Sequence, residues 1–570
     1  MSDDRWILTV YVRRLTLFWA ASWVGIWIAL WPFAGAGFNR LSYAFGWSIP
    51  AGILGGTFWF LRRNPGLIEW VKTAFRNLSG RQPQHDASAV ELTPEQEAAQ
   101  AAAYRAGFVG LHVGVATGLL AGRGHVGGVA DGYRIDLTPE DCAKNIIVFG
   151  GIGAGKTTRS INPLLSGLFQ QNTGALIFDI KTDFHQTVFT FAERQGRAVK
   201  IVGDGGMTLN LFRGCSPELA ASYLKSCFLA QGQGHGDSAF WVDSAVEMCR
   251  HSLNLLNLLD PANYSLAGLY DVVFSDEDRD KLLAAGAENI ATMSDRDQRL
   301  FVQSQRFFVN VWNAHEEKLR RNILGTVNAV LSPFAHPDLI DAFSQQSVQG
   351  EADMSELIRD GAVFLVNLPV TKYGREGARF AYLLIKLRFF DLMRSRKQHP
   401  EWDQQRHVAF ICDEYQAIVD PISDTDFWDK SRSTKTVGIV SMQGVASLVQ
   451  ALGGNQRAAE AILQNFRQRV VFRTEDEATL RMIRDVLGQV DVHLTSESTS
   501  YSSSFSNPTG IHGSASRSQS ESESESTSIT RQDLFGANDM RGLTADYCLF
   551  VGNMGERAVD EVLRVQPLYV

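Results

Sequence analysis

Residues 148–160, VFGGIGAGKTTRS, have the residue types and the spacing of a phosphate-binding loop. Gly150 and Gly155 enclose four residues and precede Lys156 and Thr157, which matches the pattern G-x-x-x-x-G-K-[ST]. Glycines allow backbone N–H groups to turn toward phosphate oxygens, and a following helix offers its positive N-terminus. We therefore predict that this loop binds ATP with Mg²⁺. The residues predicted to contact the nucleotide are Gly150, Gly151, Gly153, Ala154, Gly155, Lys156, Thr157 and Thr158.

A second segment supplies the acidic groups that hydrolysis needs. Residues 407–419, HVAFICDEYQAIV, read as a buried strand that ends at Asp413 and Glu414. We predict that Asp413 holds Mg²⁺ together with Thr157, and that Glu414 polarises the attacking water. Lys156 is the predicted catalytic cation, because it would reach the β and γ phosphates.

Apolar runs separated by helical patterns predict the sheet that carries these residues. The runs are 145–149, 174–184, 361–370, 407–419, 437–443 and 468–476. Strands that alternate with helices indicate a parallel, doubly wound sheet, and so an α/β P-loop ATPase fold. The run 437–443 ends at Gln443, which we expect to sense the γ phosphate. The run 174–184 ends in a charged group, Asp179, Lys181 and Asp183, placed where such sheets carry functional side chains.

A long helical insertion interrupts this pattern. Residues 205–350 lack strand alternation and show helical periodicity, so we predict an inserted all-α domain that returns to the sheet at 361–370. The predicted segments are a membrane anchor (1–76), the first part of the ATPase core (77–204), the insertion (205–350), the rest of the core (351–494), a serine-rich segment (495–530) and a C-terminal tail (531–570).

Two uncharged apolar runs near the N-terminus, 15–37 and 44–61, predict a transmembrane hairpin. At 1.5 Å per residue each is long enough to cross a bilayer. Arginines and lysines flank the outer ends of the pair, so we expect both termini and the ATPase on the cytoplasmic side of a bacterial inner membrane. The alternative is a cleaved signal peptide, since AGA at 34–36 resembles a cleavage site. The length of the first run and the presence of a second favour the anchor.

Composition limits the remaining choices. The chain has 570 residues and a net charge of −8, which argues against general nucleic-acid coating and leaves only local basic patches for such contacts. Its six cysteines are scattered without a C-x-x-C pair, which suits a reducing cytoplasm rather than a disulfide framework or a zinc site.

Residues 495–530 are dominated by serine. Low complexity favours a flexible linker or a mobile ribbon. The two serine-rich arms on either side of NPTGIHG could instead form a hairpin. After this segment, DLFGANDMRGL is expected to be a helix and DYCLFVGN a strand.

These motifs, in this order, resemble those of the type IV coupling proteins of conjugation and type IV secretion, over most of the chain. The matching segments are the membrane hairpin, GGIGAGKTT, FDIKTDF, SAFW, GTVNAVLSPFAHPDLI, DEYQAI, SRSTKTVGIVSMQ and NFRQRVVFRTED. The resemblance implies a RecA/HerA-FtsK-like ATPase that is tethered to the inner membrane and forms a homo-hexamer. It also implies DNA, relaxase or relaxosome proteins, and subunits of the secretion channel as partners.

The resemblance implies one more catalytic residue, and the sequence departs from the family pattern in two places. Arg432, upstream of Gln443, fits the place of an arginine finger that acts across the subunit interface. The loop between the two membrane runs is shorter than in many relatives. The family's lysine motif, D-P-K-G-[DE], here reads Asp179-Ile-Lys181-Thr-Asp183, so a role for Lys181 is left open.

Four functions are weighed. A DNA-moving coupling ATPase would present basic groups to a central channel, and the basic residues considered for it are Lys435, Arg467, Arg469 and Arg473. A receptor ATPase for secreted protein effectors would use the same motifs. A translocase of the FtsK type is expected to have more membrane helices and a winged-helix end. A non-hydrolysing scaffold is disfavoured by the presence of Lys156, Asp413, Glu414 and Gln443.

Overall fold

The structure is a computed structural model that describes residues 94–231, 238–344, 350–506 and 516–570. The predicted membrane hairpin lies outside these residues. Within them, no helix combines the length and the apolar composition that crossing a bilayer requires.

An eleven-stranded sheet organises the described residues, and a separate pair of strands forms a ribbon. The strands are β1 (Leu111–Ala116), β2 (Arg134–Leu137), β3 (Ile146–Phe149), β4 (Gly174–Asp179), β5 (Val199–Gly203), β6 (Val363–Asn367), β7 (Val408–Asp413), β8 (Thr436–Met442), β9 (Gln468–Val471), β10 (Gln489–Ser506), β11 (Ser516–Asp533), β12 (Tyr547–Met554) and β13 (Arg557–Arg564). The order in the large sheet is β2-β1-β13-β12-β9-β3-β8-β7-β4-β6-β5.

The strands from β9 to β5 in that order are parallel, as the sequence predicts. Strands β3, β4, β7 and β8 are buried along their whole length, which explains their continuous apolar sequences. Along β3, Ile146 and Val148 pack in one hydrophobic core while Ile147 and Phe149 pack in the other. The sheet is therefore covered on both faces.

The prediction of a wholly parallel sheet is wrong at one edge. Strands β12, β13, β1 and β2 pair antiparallel, and β12 joins them to β9. Only Gly555 and Glu556 separate β12 from β13, and so short a link permits a hairpin but no crossover. The residues predicted to form a C-terminal recognition-like tail thus contribute two strands to the large sheet.

The α-helices are α1 (Pro94–Ala106), α2 (Leu119–Gly122), α3 (Pro139–Cys142), α4 (Asn162–Phe169), α5 (His185–Arg194), α6 (Pro217–Ala230), α7 (Ser238–Leu259), α8 (Leu266–Phe274), α9 (Asp276–Asn289), α10 (Asp295–Arg306), α11 (Glu317–Leu331), α12 (Pro337–Phe343), α13 (Glu356–Arg359), α14 (Val370–Tyr373), α15 (Arg375–Ser395), α16 (Pro421–Lys430), α17 (Val445–Ala451), α18 (Gln456–Leu463), α19 (Glu477–Leu487) and α20 (Ala537–Gly542). A π-helical turn, Thr157–Ile161, precedes α4.

The described residues between β5 and β6 fold mainly as helices α6 to α13, in agreement with the predicted insertion. Serine side chains cap several of these helices; Ser216, for example, accepts the backbone N–H of Leu219 at the start of α6. Two isolated bridges, Val202 with Met207 and Thr208 with Glu351, lie at the base of the insertion. It therefore leaves and re-enters the core beside adjacent strands.

The described part of the serine-rich segment is a regular two-stranded ribbon, which agrees with the predicted ribbon or hairpin and not with an unstructured linker. Strands β10 and β11 pair antiparallel from Gln489 with Asp533 to Ser506 with Ser516. Hydroxyl groups bond across the ribbon at Ser498–Ser524 (2.8 Å), Ser500–Ser522 (2.7 Å) and Ser502–Ser520 (2.7 Å). Serine at every second position places these hydroxyls on one face, which is the hairpin alternative raised by the sequence.

Candidate nucleotide site

The phosphate-binding loop lies between β3 and the π-helical turn, at the carboxyl edge of the parallel strands. Gly153 (φ 71°) and Gly155 (φ 97°) have left-handed backbone conformations that favour glycine. A Cβ atom at Gly150 would lie 2.8 Å from Cβ of Phe472, so a side chain there would force the loop to move. The predicted glycines thus meet a geometric need of this loop.

Lys156 is buried and turned back onto its own loop. Its ammonium group donates to the carbonyl oxygens of Gly150 (2.6 Å) and Gly151 (3.2 Å). Burial lowers the pKa of Lys156, and the carboxylates of Asp413 and Glu414 oppose that shift. Phosphate oxygens in the loop would replace the two carbonyl acceptors, and the lysine needs only to rotate to reach them.

Asp413 and Thr157 meet as the sequence predicts. The Thr157 hydroxyl donates to Oδ2 of Asp413 at 3.3 Å, and the Ser441 hydroxyl donates to Oδ1. Both Thr157 and Asp413 line a cavity of 260 Å³. Hydroxyl and carboxylate oxygens are ligands that Mg²⁺ prefers, so this pair fits the metal that ATP hydrolysis requires.

Glu414 follows β7 in a left-handed conformation (φ 71°), which a non-glycine residue rarely adopts. Its Oε1 lies 2.5 Å from the ammonium nitrogen of Lys181, and the same nitrogen lies 3.9 Å from Oδ2 of Asp413. Burial lowers the pKa of Lys181, but the hydrogen bond to Glu414 and the charges of both carboxylates raise it further, for a net increase. Lys181, whose role the sequence left open, therefore lies between the two acidic residues of the site.

The other two charged residues of the 174–184 run have different surroundings. Asp179 is buried, and its carboxylate accepts the backbone N–H groups of Asp183, Phe184 and His185. It therefore stabilises the start of α5 rather than the nucleotide cavity. Asp183 lines the cavity with Lys181.

Gln443 and Arg432 lie at opposite ends of strand β8. Gln443 is exposed directly after β8, at the edge that carries Asp413. Arg432 is exposed in a 3₁₀ turn (Ser431–Thr434) before β8, so the length of a strand, roughly 20 Å, separates it from the phosphate loop of its own subunit. Arg432 is therefore not part of the phosphate site of its own chain, and its role as an arginine finger across a subunit interface stays a prediction.

The four basic residues considered for a channel lie at both ends of the strands. Lys435 and Arg467 precede β8 and β9, whereas Arg473 follows β9 beside the phosphate loop, where its carbonyl accepts the N–H of Gly151. Arg469 donates to the carbonyls of Phe466 and Leu463, and burial lowers its pKa. Arg473 therefore lies at the opposite ends of the strands from Lys435 and Arg467.

Sequence reasoning missed the C-terminal wall of the cavity. Tyr569 and Val570 line it, and the backbone N–H of Leu568 donates to the carbonyl of Thr158 at 2.8 Å. The Asn162 amide donates to the Leu568 carbonyl at 2.9 Å. Nothing in the local sequence near 568 signals this contact, because its partner lies about 400 residues away along the chain.

Comparison with known proteins decides the family. One family model, the DNA-binding domain of type IV secretion-system coupling proteins, matches residues 134–315. A second, the TraM recognition site of TraD and TraG, matches residues 407–544. The chain belongs to the type IV coupling proteins. The two matched segments include the phosphate-binding loop and the Asp413–Glu414 pair of this coupling protein.

Solved structures share the fold of this coupling protein. The unbound bacterial conjugative coupling protein TrwBΔN70 aligns with a TM-score of 0.52 at 14% identity, covering 76% of this chain and 88% of that chain. Plasmid coupling protein TrwB in complex with the GTP analogue GDPNP aligns with a TM-score of 0.50 at 15% identity, covering 76% and 88%. No curated protein sequence matches the chain.

Proposed function

We propose that this coupling protein is an ATPase whose hydrolysis of Mg²⁺-ATP delivers DNA, bound to a relaxase, to a type IV secretion channel for conjugation. The observation that carries the proposal is the convergence of Thr157, Asp413, Lys181 and Glu414 at the mouth of a phosphate-binding loop. The match of residues 134–315 to a DNA-binding domain model supports DNA as the cargo. The match of residues 407–544 to a TraM recognition site supports contact with relaxosome proteins.

The chemistry follows from the positions of the side chains. Backbone N–H groups of the loop bind the phosphates, and Lys156 leaves its carbonyl acceptors to neutralise the β and γ phosphates. Thr157 and Asp413 would hold Mg²⁺, which supplies charge neutralisation at the transferring phosphoryl group. Glu414, released from Lys181, accepts a proton from the attacking water. Gln443 follows β8 at the same edge, from which it would reach the γ phosphate.

The assembly is part of the same proposal. We place the chain in the bacterial inner membrane, with a transmembrane hairpin in residues 1–76 and with both termini and the ATPase in the cytoplasm. A homo-hexamer would bring Arg432 of one subunit to the phosphate site of the next, because Arg432 is exposed and remote from its own loop. Secretion-channel subunits would then receive the cargo at the membrane.

ATP hydrolysis by the full chain in lipid nanodiscs, with and without single- or double-stranded DNA, tests this function. We expect DNA to stimulate hydrolysis and Glu414→Gln to abolish it while nucleotide binding is retained. Glu401→Gln is the matched control, because Glu401 is exposed before β7 and pairs with His399 at 3.0 Å, away from the cavity.

Hydrolysis that ignores DNA but responds to a secreted protein would replace DNA transfer with the effector-receptor function. Absence of hydrolysis by the wild-type chain, with nucleotide bound, would refute the proposed ATPase. Equal loss in Glu401→Gln and Glu414→Gln would show that the loss does not come from the site.

A further inference from the structure

A buried ion pair packs against the residues that follow Asp413 and Glu414. Lys386, in the middle of α15, and Asp424, in α16, are both fully buried, and their side chains meet at 2.5 Å. Replacing such a pair by apolar residues of similar volume is often neutral or stabilising, because desolvation of two charges offsets their attraction. Stability alone therefore does not account for a lysine and an aspartate at this place.

The pair holds the residues that follow Glu414. Oδ2 of Asp424 accepts the Tyr415 hydroxyl at 2.6 Å and the Asp420 backbone N–H at 3.1 Å. The Lys386 ammonium donates to the carbonyl of Ile418 at 2.5 Å. Residues 415–420 are thus fixed at both ends by one buried ion pair.

Tyr415 is held in this arrangement by two hydrogen bonds and by the burial of its ring. Its hydroxyl donates to Asp424 and accepts the indole N–H of Trp428 at 2.7 Å. Its ring is fully buried and lies 6.1 Å from the Phe410 ring, which is on β7. These contacts restrain the backbone on the carboxyl side of Glu414.

Glu414 needs such support because its backbone is in the left-handed region. That conformation costs a non-glycine residue about 1–2 kcal/mol, so contacts on its neighbours must maintain it. A relaxed turn would move the carboxylate away from Lys181, which lines the cavity.

The same helix that carries Lys386 is bound to the inserted helical domain. The Tyr223 hydroxyl of α6 donates to Asp391 of α15 at 2.6 Å, and Arg379 of α15 donates to the Ala230 carbonyl at the end of α6 at 3.0 Å. These contacts lie on either side of Lys386 along α15. A shift of α6 therefore reaches Lys386 through a single rigid helix.

We propose that Lys386, Asp424 and Tyr415 form a positioning triad that aims the Glu414 carboxylate at the attacking water and couples it to the inserted helical domain. The triad touches no substrate and acts only through the backbone of residues 414–418. This inference rests on the proposed ATPase function, in which Glu414 is the general base.

The test uses Tyr415→Phe and an apolar triple variant, Lys386→Met, Asp424→Leu and Tyr415→Phe, in the full chain. The triple variant removes both charges of the pair together, but it also removes the acceptors of the Asp420 backbone N–H and the Trp428 indole N–H. Its Tm is therefore expected to fall, and circular dichroism with the protection of β7 shows that it remains folded at the assay temperature. We expect its kcat to fall at least tenfold at unchanged KM for ATP, since a positioned general base contributes about 10²–10⁴-fold. A folded triple variant with wild-type kcat would overturn the proposal.

Hydrogen exchange supplies a readout that does not need hydrolysis. Backbone N–H groups of residues 414–418 should exchange faster in the triple variant, whereas those of β7 should keep their protection. Unchanged exchange at 414–418 would refute the positioning role even if the wild-type chain proved inactive. An inactive wild type with faster exchange in the variant would refute the proposed function and leave the triad's structural action established.

Tyr223→Phe tests the connection to the inserted domain, since it removes the bond to Asp391 and leaves the triad intact. We expect a smaller ratio of DNA-stimulated to basal hydrolysis and faster exchange at residues 414–418. If neither quantity changes, the triad does not couple to the inserted domain.

Discussion

Removal of the Lys181 ammonium should change nucleotide binding more than the chemical step. In the structure this ammonium lies in the same cavity as Thr157 and Asp413, where the negatively charged phosphates must enter. It is also held by Oε1 of Glu414 at 2.5 Å. Lys181→Met therefore removes one attraction for ATP and one restraint on Glu414, the proposed general base.

The structure sets the size of each effect. A hydrogen bond to a charged group contributes about 1.5–3 kcal/mol, and the 45% exposure of Lys181 places its contribution to phosphate binding near the low end, equivalent to roughly a tenfold rise in KM. A partly exposed ion pair contributes only about 0.2–1 kcal/mol, so freeing Glu414 should raise kcat by no more than about fivefold.

Steady-state ATP hydrolysis by the full chain, with kcat and KM measured separately, checks this prediction. Lys200→Met is the matched control, because Lys200 pairs with Glu356, has 37% exposure and lies near the amino end of β5, away from the cavity. A hundredfold loss of kcat at unchanged KM would show that Lys181 acts in the chemical step, and the binding argument would be wrong. A KM equal to that of the wild type would also contradict it.

Two further predictions concern the assembly and the inserted domain. Arg432→Ala and Glu414→Gln should each abolish hydrolysis. A mixture of the two proteins should recover part of the activity, because some interfaces then combine an intact Arg432 with an intact Glu414. No recovery of activity on mixing would contradict action across subunits. Burial and the nearby Arg250 lower the pKa of His251 to about 4, whereas the unfolded residue titrates near 6.5. Because the unfolded state binds the proton more readily, the inserted domain should lose up to roughly 3 kcal/mol of stability as pH falls from 6.5 to 4, and none above 6.5. Hydrogen exchange of α7 against pH measures this loss, and a flat profile would contradict it.

Local sequence was sufficient for the parallel half of the sheet. Strands such as β4 and β7 are apolar up to their last residue because both faces are covered, and each ends at an aspartate of the site or of its support. The contact between Asp413 and Thr157 followed from the same reasoning. Strands β3 and β7 are parallel strands of one sheet, so the residues at their carboxyl ends lie at the same edge.

Long-range pairing is what the sequence could not supply. The antiparallel edge depends on the pairing of β13 with β1, and the sequence of neither strand indicates its partner. Asp179 has the sequence position of a site residue, but its carboxylate bonds to three nearby N–H groups, which only backbone geometry reveals. The wall formed by Tyr569 has the same origin, because it depends on where the chain returns after β13.

The pairing of β1 with β13 also has a consequence for biosynthesis. Val115 of β1 pairs with Arg564 of β13 in the sheet. Strand β1 is therefore synthesised about 450 residues before the strand that pairs with it. Chains grow at about 5–20 residues per second, which leaves that edge open for tens of seconds while upstream residues are already exposed. An unpaired strand edge invites association with other chains. We expect the nascent protein to depend on chaperones or on prompt membrane targeting during this interval, and the nucleotide cavity to close only when the last strand has been added.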